Sequence, residues 1–239
     1  MEKKVLYGAI WKRRSVRKYL DKHIEQSKLD LLERAISLLN EESGLRIELI
    51  EKTDAFNSFK TFMFKNVRSL IAVKGRTDDP DLYEKCGYYG EQIVLEATAM
   101  GLGTCWVAAL SFNSKSASLN VKDDETLVCG IPVGYGTEGM SESTKVPLAP
   151  HRKTRSVSEF LKGNTDVPEW VTSAMKAVQF APSARNSQKT RFTYMGETLS
   201  AEISSGKLNM VDLGITKLHF ELAAGGKFSL GTPGKFEKD

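Results

Sequence analysis

The chain has 239 residues, 41% apolar and 27% charged, enough to bury the core of one large domain or two small intertwined ones. Its 34 basic and 30 acidic side chains leave a formal charge of +4, a mild excess that does not suggest a nucleic-acid binder. Three widely spaced cysteines, Cys86, Cys105 and Cys129, suggest neither a disulfide framework nor structural zinc, so the expected compartment is reducing, the cytoplasm.

The opening "MEKKVLYGAIWKRR" meets charge after every short apolar run, unlike a signal peptide. No run along the chain approaches the ~18 apolar residues of a membrane span. Leu6, Ile10 and Trp11 share one face of a short helix. "SKLDLLERAISLLN" is a clearer helix, with the stripe Leu29, Leu32, Ala35, Ile36 and Leu39 and with Ser27 as its expected N-cap. "LRIELIEK" alternates as a half-buried strand does, and "VRSLIAVKG" is a second strand ending at Gly75. The longest helical pattern runs from Asp81 to Met100 and stops at Gly101 and Gly103. "TCWVAAL" and "ETLVCGIPVGYG" follow as strands, and "STKVPLAPHRKTR" reads as a basic, Pro-punctuated linker. The order then restarts. "VPEWVTSAMKAVQF" is a helix with Pro168 near its first turn, "APSARNSQ" a loop, "RFTYMG" and "LSAEIS" short strands, and "VDLGITKLHFELAAGG" a second long helix. The tail "KFEKD" is expected to fray. Helices and strands mixed in this way imply an α+β fold.

Five basic residues lie between Lys12 and Tyr19, and the stretch has an echo: "RSVRKYL" from Arg14 matches "RSVSEFL" from Arg155 at four of seven positions. At the same offset Leu29 falls on Trp170 and Ile36 on Ala177, both on apolar stripes, and "YGEQIVLEATAMG" from Tyr89 compares with "LGITKLHFELAAG" from Leu213. An internal duplication is expected, residues 1–150 forming one repeat and 151–239 a shorter second one. The two would intertwine as a pseudo-dimer, a monomer that mimics a homodimer. The copies differ by what each lacks. Ser158 stands where the first copy has Arg17, and "NEESGLRI" stands where the second has "APSARNSQ". If a site takes its basic set from one copy and its loop from the other, one complete site remains.

"RRSVRKY", "APSARNSQ", "GLGTCW" and "APHRKTRSVSEFL" together resemble the nitroreductase family of FMN-dependent oxidoreductases, over nearly the whole chain. Here the PSxxNxQ motif is displaced to Pro182–Gln188, as in single-chain duplicated members of the family, and Lys189-Thr190 stand where the family often has Pro-Trp. The resemblance implies an antiparallel or mixed sheet packed by helices, with one FMN per chain between the copies. It also implies NAD(P)H as transient reductant and a small-molecule electron acceptor such as a nitro compound, a quinone or a flavin, with no nucleic-acid or membrane partner.

Arg13, Arg14 and Ser15, with Arg152 and Lys153 of the linker, are then the candidates for the FMN phosphate, since guanidinium forks match phosphate oxygens. On its own, the same charge run reads equally as a solvated basic face. Arg17 is assigned to the pyrimidine end of the flavin, where a cation stabilises the reduced form; the competing reading is an ion pair with Asp21 or Glu25. Pro182, Ser183 and Asn186 border the ring from the other copy, with Arg185 and Gln188 as lesser candidates; as residues alone they also make an ordinary turn. Backbone N–H groups around Ala108 and Ala109 align with the segment that faces flavin N5 in relatives. Gly101 and Gly103 form a helix stop, since "GLG" lacks the GxGxxG spacing. His23, His151 and His219 are isolated, and Cys105 reads as a small buried hydrophobe. No side chain is expected to act as acid or base, because the chemistry is the cofactor's. The alternative to an enzyme is a sensory or non-catalytic FMN-binding pseudo-dimer.

Overall fold

Apolar spacing carries through into the first elements of the computed structural model, which describes residues 1–57, 61–137, 152–163 and 166–239. Most of the linker, with His151, lies outside the described residues. Helix α1 (Lys3–Ile10) buries Leu6, Ala9 and Ile10, and the Arg13 N–H donates to the Ala9 carbonyl at 2.9 Å as the chain leaves it. Helix α2 (Gln26–Ser43) buries the predicted stripe. Its N-cap is Glu25 and not Ser27, and it stops at Gly44, whose φ of 72° suits a residue without Cβ.

Strands β1 (Glu48–Ile50) and β2 (Ser69–Arg76) pair antiparallel and lead into α3 (Leu82–Ala99). The stretch expected as one strand, "TCWVAAL", is broken into β3 (Gly103–Thr104), β4 (Val107–Ala108) and a 3-10 turn at Ala109–Ser111. The break falls at Trp106, whose indole lies over Gly90 of α3 and donates to Glu91 at 2.7 Å. Strand β5 (Glu125–Gly134) completes an antiparallel sheet ordered β1-β2-β5-β3, with β4 also on β5.

The second part runs α4 (Val157–Phe160), β6 (Leu161–Gly163), α5 (Glu169–Val178), β7 (Arg191–Met195), β8 (Thr198–Glu202), α6 (Lys207–Ala224), β9 (Lys227–Phe228) and β10 (Gly234–Glu237). Its sheet is ordered β6-β7-β8-β10-β9, parallel at β6–β7 and antiparallel elsewhere. The tail therefore does not fray through its whole length. Lys235 to Glu237 pair with β8 and β9, and Phe236 packs against Trp170 and Phe220. Setting β6 aside, the two sheets share one order, first strand, second, last and then the strand after the long helix: β1-β2-β5-β3 and β7-β8-β10-β9.

Helices α3 and α6 cross between the sheets. A Cβ on Gly87 would overlap the Val211 carbonyl, and a Cβ on Gly214 would overlap the Glu84 carbonyl. Each glycine meets the residue three positions before the other, an exchange typical of a two-fold contact. The crossing thus pairs Gly214 with Gly87; Gly90, its counterpart in the sequence comparison, lies under Trp106 instead. Gly214→Ala should lower stability by about 2 kcal/mol through overpacking, although alanine in a helix interior normally gains about 1 kcal/mol over glycine. A urea midpoint that stays or rises would show that the helices separate without penalty. Among the described residues no helix is long and apolar enough to cross a membrane.

Candidate functional site

The end of α1 and the start of the first sheet place the basic stretch against a cavity of about 300 Å³. Arg13, Ser15 and Arg17 form one side, with Cys105–Ala108 and Cys129 beneath. Arg152 and the loop Pro182–Asn186 close it from the second part, together with Leu208, Val211, Asp212 and Ile215 of α6. Two segments far apart in sequence thus line one wall each of a single space.

Arg13 is 3% exposed, yet its Nε and Nη1 have no hydrogen-bond partner among the described residues. Its nearest acid is Glu91, 3.8 Å from Nε and fully buried. Glu91 is already engaged: Oε2 accepts from Trp106 at 2.7 Å, and Oε1 lies 2.9 Å from His219 Nε2. The other ring nitrogen of His219, Nδ1, is 3.1 Å from the Ala177 carbonyl, which only accepts, so Nδ1 carries a proton. Glu91 is thus bonded to Trp106 and His219, and its approach to the charge of Arg13 is a long one.

Arg152 lies close enough to feel that charge. Burial and then the neighbouring Arg13 pull its pKa down to about 10, with Glu91 opposing. Its Nη2 donates to the Ala181 carbonyl. Two arginines, one buried and one half-buried, held together with donors to spare, suit an anion with several acceptor oxygens. The FMN phosphate that the motif resemblance implies meets that requirement, and the cavity of about 300 Å³ is lined by both arginines.

Of the other candidates, Arg17 is exposed on the cavity wall, and the alternative ion pairs do not form: Asp21 pairs with Arg68, and Glu25 with Lys22 and Lys28. Arg14 faces a neighbouring cavity of about 490 Å³ with Lys18 and Lys65, which shares Ser15 and Arg17 with the first. Ala108 lines the first cavity, while Ala109 turns away into the 3-10 segment. Lys153 is exposed and contributes through its carbonyl, which accepts from Asn186 Nδ2 at 2.8 Å and Gln188 Nε2 at 3.0 Å.

That carbonyl explains the loop. Asn186 also accepts from Gln188 Nε2 at 2.9 Å, so its amide joins loop and arm and keeps one N–H and one lone pair at the cavity that it lines. Gln188 accepts from Thr154 Oγ1 at 3.0 Å and from the Arg155 N–H at 2.8 Å. Arg185, Asn186 and Gln188 all take left-handed φ angles near 50°, a bend that these side-chain bonds hold. Both oxygens of Asp212 meet the Ala184 N–H, at 2.9 and 3.1 Å.

Glu91, Trp106 and Asp212 were not candidates on sequence, and His219 had no role. Glu91 and Asp212 carry one signal, polarity on an apolar helix face: Glu84, Gly87 and Glu91 share a stripe of α3, as Leu208, Val211, Asp212 and Ile215 do on α6, while Trp106 lies off the helices and carries none. Cys105 is buried as expected, its thiol pushed up by burial against the pull of Arg17 and Arg13.

A Thermotoga maritima protein of known structure, described as a "putative nitroreductase", is 25% identical over 97% of this chain and 91% of its own, with a TM-score of 0.60. An FMN-dependent nitroreductase from Clostridium difficile aligns at 24% identity over 59% of this chain and 90% of its own, with a TM-score of 0.46. A Parabacteroides distasonis protein described as a "putative NADH dehydrogenase/NAD(P)H nitroreductase" aligns at 26% over 59% and 90%, with a TM-score of 0.47. No curated protein matches the chain in sequence. The family model described as "Putative TM nitroreductase" matches residues 5–224, from α1 to the end of α6 and so across both walls of the cavity: this chain belongs to that nitroreductase family.

Proposed function

We propose that the chain is an FMN-dependent oxidoreductase that passes hydride from NAD(P)H to a small electron acceptor, a nitro compound, quinone or flavin, by a ping-pong mechanism. The observation that carries this reading is the buried Arg13 guanidinium with two unpaired donors, lining with Arg152 a cavity walled by both parts of the chain. Hydride acceptance and return at one ring face is the chemistry FMN supplies when bound. The chain's own part is to bind and orient. Arg13, Ser15 and Arg152 hold the phosphate, with Arg14 and Lys153 adding charge at the rim. Arg17 stabilises negative charge at the pyrimidine end, the Ala108–Ala109 backbone borders N5, and Pro182 and Ser183 border the ring. The ring face left open would take donor and acceptor in turn, so no dinucleotide fold is required.

We further infer that residues 1–150 and 151–239 are diverged copies forming a one-site pseudo-dimer, monomeric and cytoplasmic. The shared strand order, the reciprocal contacts of Gly87 and Gly214, and three free buried thiols support this. So does the fate of the echo. Ser156 and Glu159 form a capping box for α4, and Ser158 bonds Ser156 at 3.0 Å, so "RSVSEFL" caps a helix where its counterpart faces the cavity.

The test is uptake of FMN by the purified chain, followed by absorbance and stoichiometry. One FMN per chain, bleached by NADH or NADPH and restored by a quinone, is expected. A chain that takes up no FMN overturns the reading, and one that binds FMN but is not reduced is the sensory alternative.

A further inference from the structure

Asp212 is the one carboxyl among the described residues that line the cavity, and nothing assigned so far uses its acidity. It is 3% exposed, and its own helix surrounds it with Leu208, Val211 and Ile215. From the loop come the Ala184 N–H, the Ser187 hydroxyl and, farther off, the charge of Lys189, all favouring the carboxylate. From β5 comes Cys129, whose thiol is pushed up to about 12 by its own burial and then by Asp212. Across the cavity stand Arg13, Arg17 and Arg152, and Arg185 belongs to the loop itself. Burial outweighs the bonds and the Lys189 charge and raises Asp212 to about 6.

The other cavity groups are poor proton donors at neutral pH. Arginine does not release its proton, and burial raises both Cys105 and Cys129. A quinone or nitro acceptor, by contrast, needs protons as well as electrons. A quinone becomes a hydroquinone by taking one hydride and one proton.

Resting on the oxidoreductase reading above, we propose that Asp212 supplies the acceptor's proton. The hydride and its electron pair arrive from the reduced cofactor, recharged by NAD(P)H. The Asp212 O–H bond breaks, its proton forms the new O–H bond on the quinone oxygen, and the carboxylate is reprotonated from solvent. The Ala184 N–H stays bonded to the carboxyl in both states, which holds the loop while the proton moves.

Two measurements test this. The first needs no flavin: carbonyl-13C aspartate labelling of the chain, with Asp212→Asn to identify the signal. A midpoint near 6 is expected, and one near the ordinary value of about 4 overturns the proposal. The second compares acceptors on the FMN-loaded chain. Ferricyanide takes an electron and no proton; menadione takes both. Asp212→Asn keeps an acceptor for the Ala184 N–H and should lower the menadione rate relative to the ferricyanide rate by about 100-fold, the low end of what a positioned general acid contributes. An unchanged ratio overturns the proposal. If the variant does not fold, the wild-type pH profile decides: the menadione rate should fall as pH rises through about 6 while the ferricyanide rate does not, and parallel profiles overturn it. Failure of the oxidoreductase reading is seen separately, as a chain that takes up no FMN.

Discussion

Arg13→Met should weaken FMN binding at least 100-fold while leaving the flavin-free chain as stable as before or more so. The two halves of this expectation have one cause. Arg13 Nε and Nη1 are buried without partners, and each such donor costs about 1–3 kcal/mol in the empty protein. A phosphate reclaims both through charge-assisted bonds worth about 1.5–3 kcal/mol each, and 3 kcal/mol is already a little over 100-fold in affinity. Methionine fills similar volume and carries no donor. The acid it leaves behind is not stranded, because Glu91 keeps its bonds to Trp106 and His219. Fluorescence titration with FMN and urea denaturation of the flavin-free chain measure the two halves. A stability loss of several kcal/mol with unchanged affinity would make Arg13 a structural partner of Glu91 and remove the support for the phosphate site. Arg13→Lys should fall between, keeping the charge and losing the fork.

The parts of this site legible in the sequence were those carried by local patterns. "RRSVR" and "PSARN" stand out as runs, and α3 and α6 as long amphipathic helices, so the two walls could be named before the cavity was known. What joins them could not. Glu91 looks like one more helix-surface acid until Trp106, His219 and Arg13 converge on it from three other segments. Asp212 shows only its polarity on an apolar face, since the backbone that engages it lies 28 positions earlier. Asn186 was read by its chemistry alone, and the Lys153 carbonyl that engages its amide lies 33 positions away. The strand "TCWVAAL" forms only as two short pieces on β5, broken where the Trp106 side chain reaches Glu91 of α3. The register of α3 against α6 turned on which glycine has backbone opposite it, a long-range fact that gave Gly87 over Gly90.

The tail was the largest error in the fold, and its cause leads to the second large effect. A short, charged stretch such as "KFEKD" has little local propensity, yet its neighbourhood is anchored by a buried ion pair. Lys217 of α6 meets Glu84 of α3, and both are almost fully buried. Lys217 Nζ also donates to the carbonyls of Ser229 and Gly231, each at 2.9 Å, and Glu84 Oε2 accepts from the Gly231 N–H at 2.7 Å. The pair thus fixes the turn between β9 and β10 against the helix crossing, which is what allows a short tail to form a strand. Burial lowers the pKa of Lys217, and Glu84 is the main group that opposes the shift. Lys217→Met should cost about 3–5 kcal/mol, because it leaves the Glu84 carboxylate buried without its cation. Adding Glu84→Leu should return much of that loss, since an apolar pair of similar volume often matches a buried ion pair. The remaining cost should be the three backbone groups of Ser229 and Gly231 left without partners, and it should appear first as faster amide exchange in β10. Chemical denaturation of the two single variants and the double variant closes the cycle. If the double variant is as unstable as the sum of the singles, the contact is not a coupled pair. The tail would then be held by the Phe236 packing alone.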